Sequence, residues 1–316
     1  MRINLFPHFD TDKSGWPWIE NATPPPLERP GGNPWPKISI VTPSFNQGQF
    51  IEETIRSVLL QGYPNLEYII IDGGSNDESI EIIKKYEPWI DYWVSEKDYG
   101  QVDAINKGFN IASGELAGWI NSDDIYYPNA LTTVAKYWMD SGKKDALITG
   151  TKLKGDINLK KVTRINQFPL SLDHLVERNI LEQPSTFFPL SLYKFLGGLD
   201  PRYHMSLDYD LWLRMTKQGA KLIYTGSDLA ITRIHPLTKT SRFQRLSAYE
   251  SLLSIWRNYR VVSEPWAKKL ISTLIIPPHL KSGCINSFLF FLRDVLFKFV
   301  KISLRLIKLS NYSKKI

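Results

Sequence analysis

Between residues 37 and 150 the chain alternates short β-branched runs with stretches of helical periodicity, an order that few architectures accept. Ile38-Ser39-Ile40-Val41-Thr42 is an apolar run ended by Pro43, as expected of a strand buried on both faces. Ile51, Ile55, Val58 and Leu59 then recur at helical spacing until Gly62 and Pro64 stop the helix. Leu66 to Asp72 reads as a second strand, followed by a Gly73-Gly74 turn, a Ser75/Asn76 cap and a helix carrying Ile80, Ile82 and Ile83. Tyr92-Trp93-Val94 predicts a third strand, 102–112 a helix, Leu116 to Ile120 a fourth strand and Asp145 to Thr149 another. Strand and helix in alternation, with tight connections, predict parallel βαβ units and right-handed crossovers. The fold class is therefore α/β, and ligands in such sheets sit outside the carboxyl ends of the strands.

The flanks read differently. Residues 1–36 form an arm in which Pro24-Pro25-Pro26, Pro30-Gly31-Gly32 and Pro34-Trp35-Pro36 prevent both helix and central strand. Trp16, Trp18 and Trp35 predict that aromatic burial pins it, on the domain's own surface or against an acceptor or partner. The main domain covers 37–242. Its later part mixes short strands, turns and a helix beginning near Asp208, and 243–316 reads as a helical extension with mostly local contacts. At 43% hydrophobic and 22% charged residues, disorder and low-complexity fibres are excluded. The single cysteine, Cys284, allows no internal disulfide and suits a reducing cytosolic compartment. The start of the chain has no apolar signal-peptide core, and no stretch reaches about 18 uninterrupted apolar residues.

Three acidic positions fall at strand ends or helix starts. Asp72 closes the second strand before Gly73-Gly74, as a turn residue or as an acceptor for the ring N–H of a base. Asp123 and Asp124 follow the fourth strand. Adjacent carboxylates raise each other's pKa, and a divalent cation such as magnesium or manganese removes that cost; the bland alternative is a turn leading into the helix after Pro128-Asn129. Asp208 opens a helix and is the freer carboxylate, hence the better general base. Asp210 stands i,i+4 to Arg214 and reads as a surface ion-pair partner. Neither Gly-x-Gly-x-x-Gly nor a P-loop occurs, which argues against a Rossmann dehydrogenase or a P-loop kinase.

Taken together these sites resemble glycosyltransferase family 2. The matching strings are Ile40-Val41-Thr42-Pro43-Ser44-Phe45-Asn46, Ile71-Asp72-Gly73-Gly74-Ser75-Asn76-Asp77, Ser95 to Gly108, Asn121-Ser122-Asp123-Asp124, Gln183 to Phe188 and Asp208 to Arg214. They occur in the family's order over about 37–240. The resemblance implies a GT-A fold, with a Rossmann-like, mostly parallel central sheet, and an inverting transferase using a nucleoside diphosphate sugar, UDP favoured through Asp72. It implies that Thr42, Pro43, Ser44 and Asp72 line the base and ribose pocket. Gln101, Asp103 and Asp123 would stand beside the nucleotide or donor sugar, with Lys239 assisting. Asp124 and His235 would hold Mn2+ or Mg2+ at the diphosphate. Asp208 would deprotonate the acceptor hydroxyl. Leu207 stands where many members carry glutamate, so the base assignment rests on Asp208, with Asp210 as the substitute. The alternatives are a transferase with a small soluble acceptor, or a non-catalytic nucleotide-sugar- or glycan-binding relative.

The end of the chain bears on the acceptor. Within 284–309, Asp294, Lys298, Lys301, Arg305 and Lys308 fall in a sector of about 80° on a helical wheel, opposite Leu292, Leu296, Phe299 and Leu306. Such a segment suits a helix lying on an anionic inner-leaflet surface, or else packing on the domain or a second subunit. Much of the excess positive charge lies in this tail, so a nucleic-acid partner is unnecessary. The expectation is a peripheral enzyme at the cytoplasmic face, acting on a glycan or lipid-linked glycan precursor.

Overall fold

The computed structural model describes residues 13–18, 22–142, 145–151, 153–165, 170–235 and 238–275. The amphipathic segment 284–309 and Cys284 lie outside the described residues.

The alternating elements form as the periodicity predicts. They are β1 (Ile38–Ser44), α1 (Gly48–Leu59), β2 (Leu66–Asp72), α2 (Ser79–Tyr86), β3 (Tyr92–Ser95), α3 (Gln101–Ile111) and β4 (Leu116–Trp119). The first strand differs in length: it runs through Pro43 to Ser44, pairing Pro43 with Ile71 and Ser44 with Asp72. Proline is tolerated there because the pairing of β1 with β4 has ended at Val41, so the side toward which Pro43 lacks an N–H carries no ladder bond. After β5 (Ile125–Tyr126) and α4 (Ala130–Asp140) come β6 (Ala146–Thr149), β7 (Leu153–Gly155), β8 (Val162–Arg164), α5 (Leu172–Glu177), β9 (Thr186–Pro189) and α6 (Leu190–Phe195). The chain continues with α7 (Leu207–Lys217), β10 (Lys221–Tyr224), β11 (Ala230–Arg233), α8 (Lys239–Arg242), α9 (Gln244–Tyr259) and α10 (Glu264–Ile275).

Among the described residues, the main sheet has seven strands in the order β10-β6-β9-β4-β1-β2-β3. The pairs β1–β2, β1–β4, β2–β3 and β6–β10 are parallel, and β9 runs antiparallel to both of its neighbours. A smaller sheet, β8-β7-β11-β5, stands beside it. One hydrophobic cluster packs Val41, Phe109, Trp119, Phe188, Tyr193 and Trp212 on one face of the main sheet; the other packs Ile40, Ile55, Tyr68, Ile70 and Leu131 on the opposite face. Gly108 lets α3 approach β1: a Cβ there would meet Val41 Cγ1 at 2.6 Å. No helix among the described residues is long and apolar enough to cross a membrane.

The arm lies on the domain's own surface. Trp18 and Trp35 are buried. The Trp16 indole donates to the Tyr126 carbonyl at 2.6 Å, Trp18 donates to Glu53 at 3.2 Å, and the Arg56 guanidinium donates to the Pro17 carbonyl at 3.0 Å. The helices after residue 243 are less local than their sequence suggests. Ser254 of α9 donates to Asp210 on α7 at 2.6 Å, and Ser263 donates to the Glu177 carbonyl.

The amino-terminal edge of the parallel strands is closed by one carboxylate. Glu67 accepts from Lys37 at 2.7 Å, Ser39 at 2.5 Å, and both the Ser113 hydroxyl at 2.6 Å and amide at 2.8 Å. Burial alone would raise its pKa, but these donors, Lys37 foremost, hold it down at about 2 from an ordinary 4.5. Because the folded value is the lower one, this stabilisation is complete above pH 4.5 and disappears as pH falls toward 2. Discounted for partial exposure, Glu67→Gln should cost about 2 kcal/mol at pH 7. Urea unfolding at pH 7 and near pH 2 checks this: the gap from the parent protein should close at the acid end, and an undiminished gap would contradict it.

Candidate active site

Because β1, β2, β3 and β4 are parallel, their carboxyl ends lie along one edge of the sheet. Asp72 ends β2 there, fully buried. Its carboxylate accepts from the Gly74 amide at 3.1 Å, the Ser75 amide at 2.8 Å, the Ser75 hydroxyl at 2.6 Å and the Ser95 hydroxyl at 2.7 Å. It thereby shapes the Gly73–Ser75 loop, where Gly74 takes φ +80°. Thr42 is buried with its hydroxyl 3.1 Å from that of Tyr68. Pro43 is buried beside it, and the buried Ser44 hydroxyl has no hydrogen-bond partner among the described residues.

The loop after β4 separates the two adjacent aspartates. Asp124 turns inward, accepting from the Arg233 amide at 2.9 Å and from the Asn121 side chain at 3.3 Å. Burial, with the Asp123 charge beside it, pushes its carboxyl well above the usual carboxylate range. Asp123 remains partly exposed and meets His235 Nε2 at 3.0 Å. Of the two residues expected to hold the metal, His235 meets Asp123, whereas Asp124 faces inward. Buried Arg233 fixes this turn. Its Nε donates to the Asp123 carbonyl at 2.8 Å, another guanidinium nitrogen bonds Glu53, and the group stands 4.7 Å over the Phe50 ring. Since Glu53 also receives Trp18, the N-terminal arm is wired to the turn.

A line of side-chain amides runs from this turn across the edge. Lys239 donates to Gln101 at 2.9 Å, and Gln101 donates to Asn121 at 2.7 Å. Asn121 donates to Gln183 at 3.1 Å, and Gln183 to the Trp119 carbonyl at 2.6 Å. Glu182 accepts from Thr232 at 2.9 Å. Four residues before Gln183, Asn179 donates to Asp208 Oδ2 at 3.2 Å. Trp212, one turn beyond Asp208 on α7, stacks on Trp119 with ring centroids 5.6 Å apart and planes at 23°. The structure therefore joins the helix of Asp208 to the strand that leads to Asp123.

Other expected residues stand apart from that line. Asp103 accepts from the Tyr99 amide at 3.1 Å and lies 3.4 Å from Lys107, in the first turn of α3. Asp210, expected at the surface, is buried and held by Arg214 at 2.7 Å and Ser254 at 2.6 Å. Burial of the i,i+4 pair follows from α9 covering that side of α7, and a carboxylate so engaged is no substitute base. Asn121 and Gln183 stood within recognisable strings, whereas Arg233 and Asn179 carried no local signal.

Among the described residues, no three His, Cys, Asp or Glu side chains cluster as a self-sufficient metal site. The donors that do converge, a carboxylate oxygen and an imidazole nitrogen, fit a hard divalent cation that completes its shell with phosphate and water.

The glycosyl transferase family 2 profile matches residues 39–194. An uncharacterized glycosyltransferase of Mycobacterium tuberculosis is 31% identical over 182 residues, covering 57% of this chain and 68% of that protein. Among solved structures, S. aureus TarS 1-349 in complex with UDP-GlcNAc superposes with a TM-score of 0.58 at 15% identity, over 83% of this chain and 80% of that one. The mannosyltransferase PcManGT from Pyrobaculum calidifontis, in complex with GDP-Man and Mn2+, gives 0.58 at 14% identity, over 86% and 88%. The fold is GT-A, and the chain belongs to glycosyltransferase family 2 and is a glycosyltransferase.

Proposed function

We propose that this enzyme is inverting and metal-dependent, and moves one sugar from a nucleoside diphosphate sugar, UDP favoured, to a hydroxyl of a glycan or lipid-linked glycan precursor. The observation that carries the reading is the Asp123–His235 pair at the carboxyl edge of the parallel strands, beside which Asn121 bonds both Asp124 and Gln183 and, four residues before Gln183, Asn179 bonds Asp208. Thr42, Pro43, Ser44 and Asp72 form the floor of the nucleotide pocket. Because Asp72 and Thr42 are already bonded within the chain, their part is to set the loop's shape beneath the base. Gln101, Asp103 and Lys239 flank the donor. The catalytic unit is 37–242, and the basic, apolar pattern of 284–309 supports docking on the inner leaflet at the cytoplasmic face.

Asp208 takes the proton of the acceptor hydroxyl as its oxygen attacks the anomeric carbon. The bond from that carbon to the diphosphate oxygen breaks, and the configuration inverts with no covalent enzyme intermediate. Asp123 and His235, with Asp124 supporting the turn, would hold Mn2+ or Mg2+, which when bound supplies Lewis-acid stabilisation of the leaving diphosphate. Asn179 keeps the Asp208 carboxylate oriented for the hydroxyl.

A thermal-shift screen of UDP-glucose, UDP-N-acetylglucosamine and GDP-mannose, with and without manganese, tests the donor side. A raised melting temperature that needs the metal is expected, and no shift with any of them would refute it. Asp123→Asn should abolish most of the metal-dependent shift and do so more completely than Asp124→Asn, whose carboxylate faces inward. The reverse order would return the metal to Asp124. Asp208→Asn should lower transfer roughly 1000-fold while nucleotide affinity stays within a few-fold, and wild-type turnover in that variant would remove Asp208 as the base.

A further inference from the structure

The helix that carries Asp208 has no side-chain cap of its own: Ser206, the residue before its first turn, makes none. The segment that leads into the helix is instead held from 44 residues away. Glu250, on α9 and almost wholly buried, accepts from three consecutive backbone amides, His204 at 3.0 Å, Met205 at 2.7 Å and Ser206 at 2.9 Å. The Ser206 hydroxyl lies 2.9 Å from that of Ser251 and donates to the Ser247 carbonyl at 3.2 Å. Residues 247, 250, 251 and 254 share one face of α9, so a single stripe of the C-terminal helix grips the start of α7.

We propose that Glu250 is a positioning residue for catalysis, through which the C-terminal helix sets the place and rotation of the first turn of α7 and so of Asp208. The inference rests on Asp208 being the base. A buried carboxylate is costly unless donors satisfy it, and here the amides entering a helix do so, with the negative charge at the positive end of the helix dipole. Three successive amides on one carboxylate fix both translation and rotation of the turn. Asp208 lies two residues beyond the last of them, where a shift of about 1 Å can cost up to two orders of magnitude in rate. Asp123 and His235 stand on other segments and bond each other, and among the described residues neither bonds to 204–206. The loss on weakening this grip is therefore expected in kcat ahead of donor KM.

The test uses the full chain, with turnover read as nucleoside diphosphate released from UDP-glucose, UDP-N-acetylglucosamine or GDP-mannose with manganese and water as acceptor. Glu250→Gln keeps the shape but sets an amide N–H₂ against backbone N–H groups; kcat should fall about tenfold while the donor KM stays within about twofold. Hydrogen exchange of the 204–206 amides should accelerate in the same variant. Tyr259→Phe, which removes an α9–α7 bond made to Thr216 in the last turn of α7, far from 204–208, should lower the melting temperature and leave kcat within about twofold. Ser251→Ala, the milder change at Ser206, should lower kcat about threefold and serves where Glu250→Gln does not fold. Wild-type kcat in folded Glu250→Gln or in Ser251→Ala, a matching change of donor KM, or an equal loss of kcat in Tyr259→Phe would overturn the role. Asp208→Asn run in parallel separates the two claims. An inactive Asp208→Asn beside a fully active Glu250→Gln overturns the positioning role alone, whereas an active Asp208→Asn overturns the base assignment beneath it.

Discussion

A carboxylate taken out of water has to find its donors inside the protein, and the architecture of this chain follows from where it finds them. Asp72 draws the Gly73–Ser75 loop onto the end of β2. Asp124 draws in the amide of Arg233, which ties the smaller sheet to the main one. Asp210 draws Arg214 and Ser254, and Glu250 draws the entry to α7. The bonds of Asp124 to Arg233, Asp210 to Ser254 and Glu250 to Ser206 join segments far apart in sequence, and together with the local ones they hold the loops of the sheet's carboxyl edge in one arrangement. Aromatic stacking supplies the apolar counterpart, with Trp119 and Trp212 locking a strand to a helix across the same region.

The division of labour between Asp123 and Asp124 follows from the same constraint. Two adjacent carboxylates cannot both be desolvated as charges without a partner for each. Here one is turned into the protein, with backbone and amide donors, and its neighbour is left at the surface with an imidazole. Asp124 is thereby bonded into the turn, and Asp123 is the member that meets the imidazole.

Much of the fold was legible in the sequence because its signals are local. The β-branched runs at 38–44 and 66–72, the helical spacing of Ile51, Ile55 and Val58, and the prolines of the arm each report on their own segment. What was not legible depends on pairing at a distance. The antiparallel insertion of Thr186–Pro189 leaves no mark in its own residues, and the burial of Asp210 is decided by α9, more than 40 positions later. The candidate site shows the same split. Asp72, Asp123 and Asp208 stood out at strand ends and a helix start, whereas Arg233, Asn179 and Glu250 acquire meaning from neighbours that only the tertiary structure supplies.

The strand order also dictates an order of assembly. Residues 146–149 find their sheet partners at 186–189 and 221–224, both made later by the ribosome. The strands at 38–44, 66–72, 92–95 and 116–119 can pair with one another as soon as they emerge. Until Thr186–Pro189 arrives, both the edge of β4 and the whole of β6 expose unpaired backbone. The nascent chain therefore carries an open seam through the middle of its sheet for some 40 residues of synthesis, the interval in which off-pathway pairing has its best opportunity.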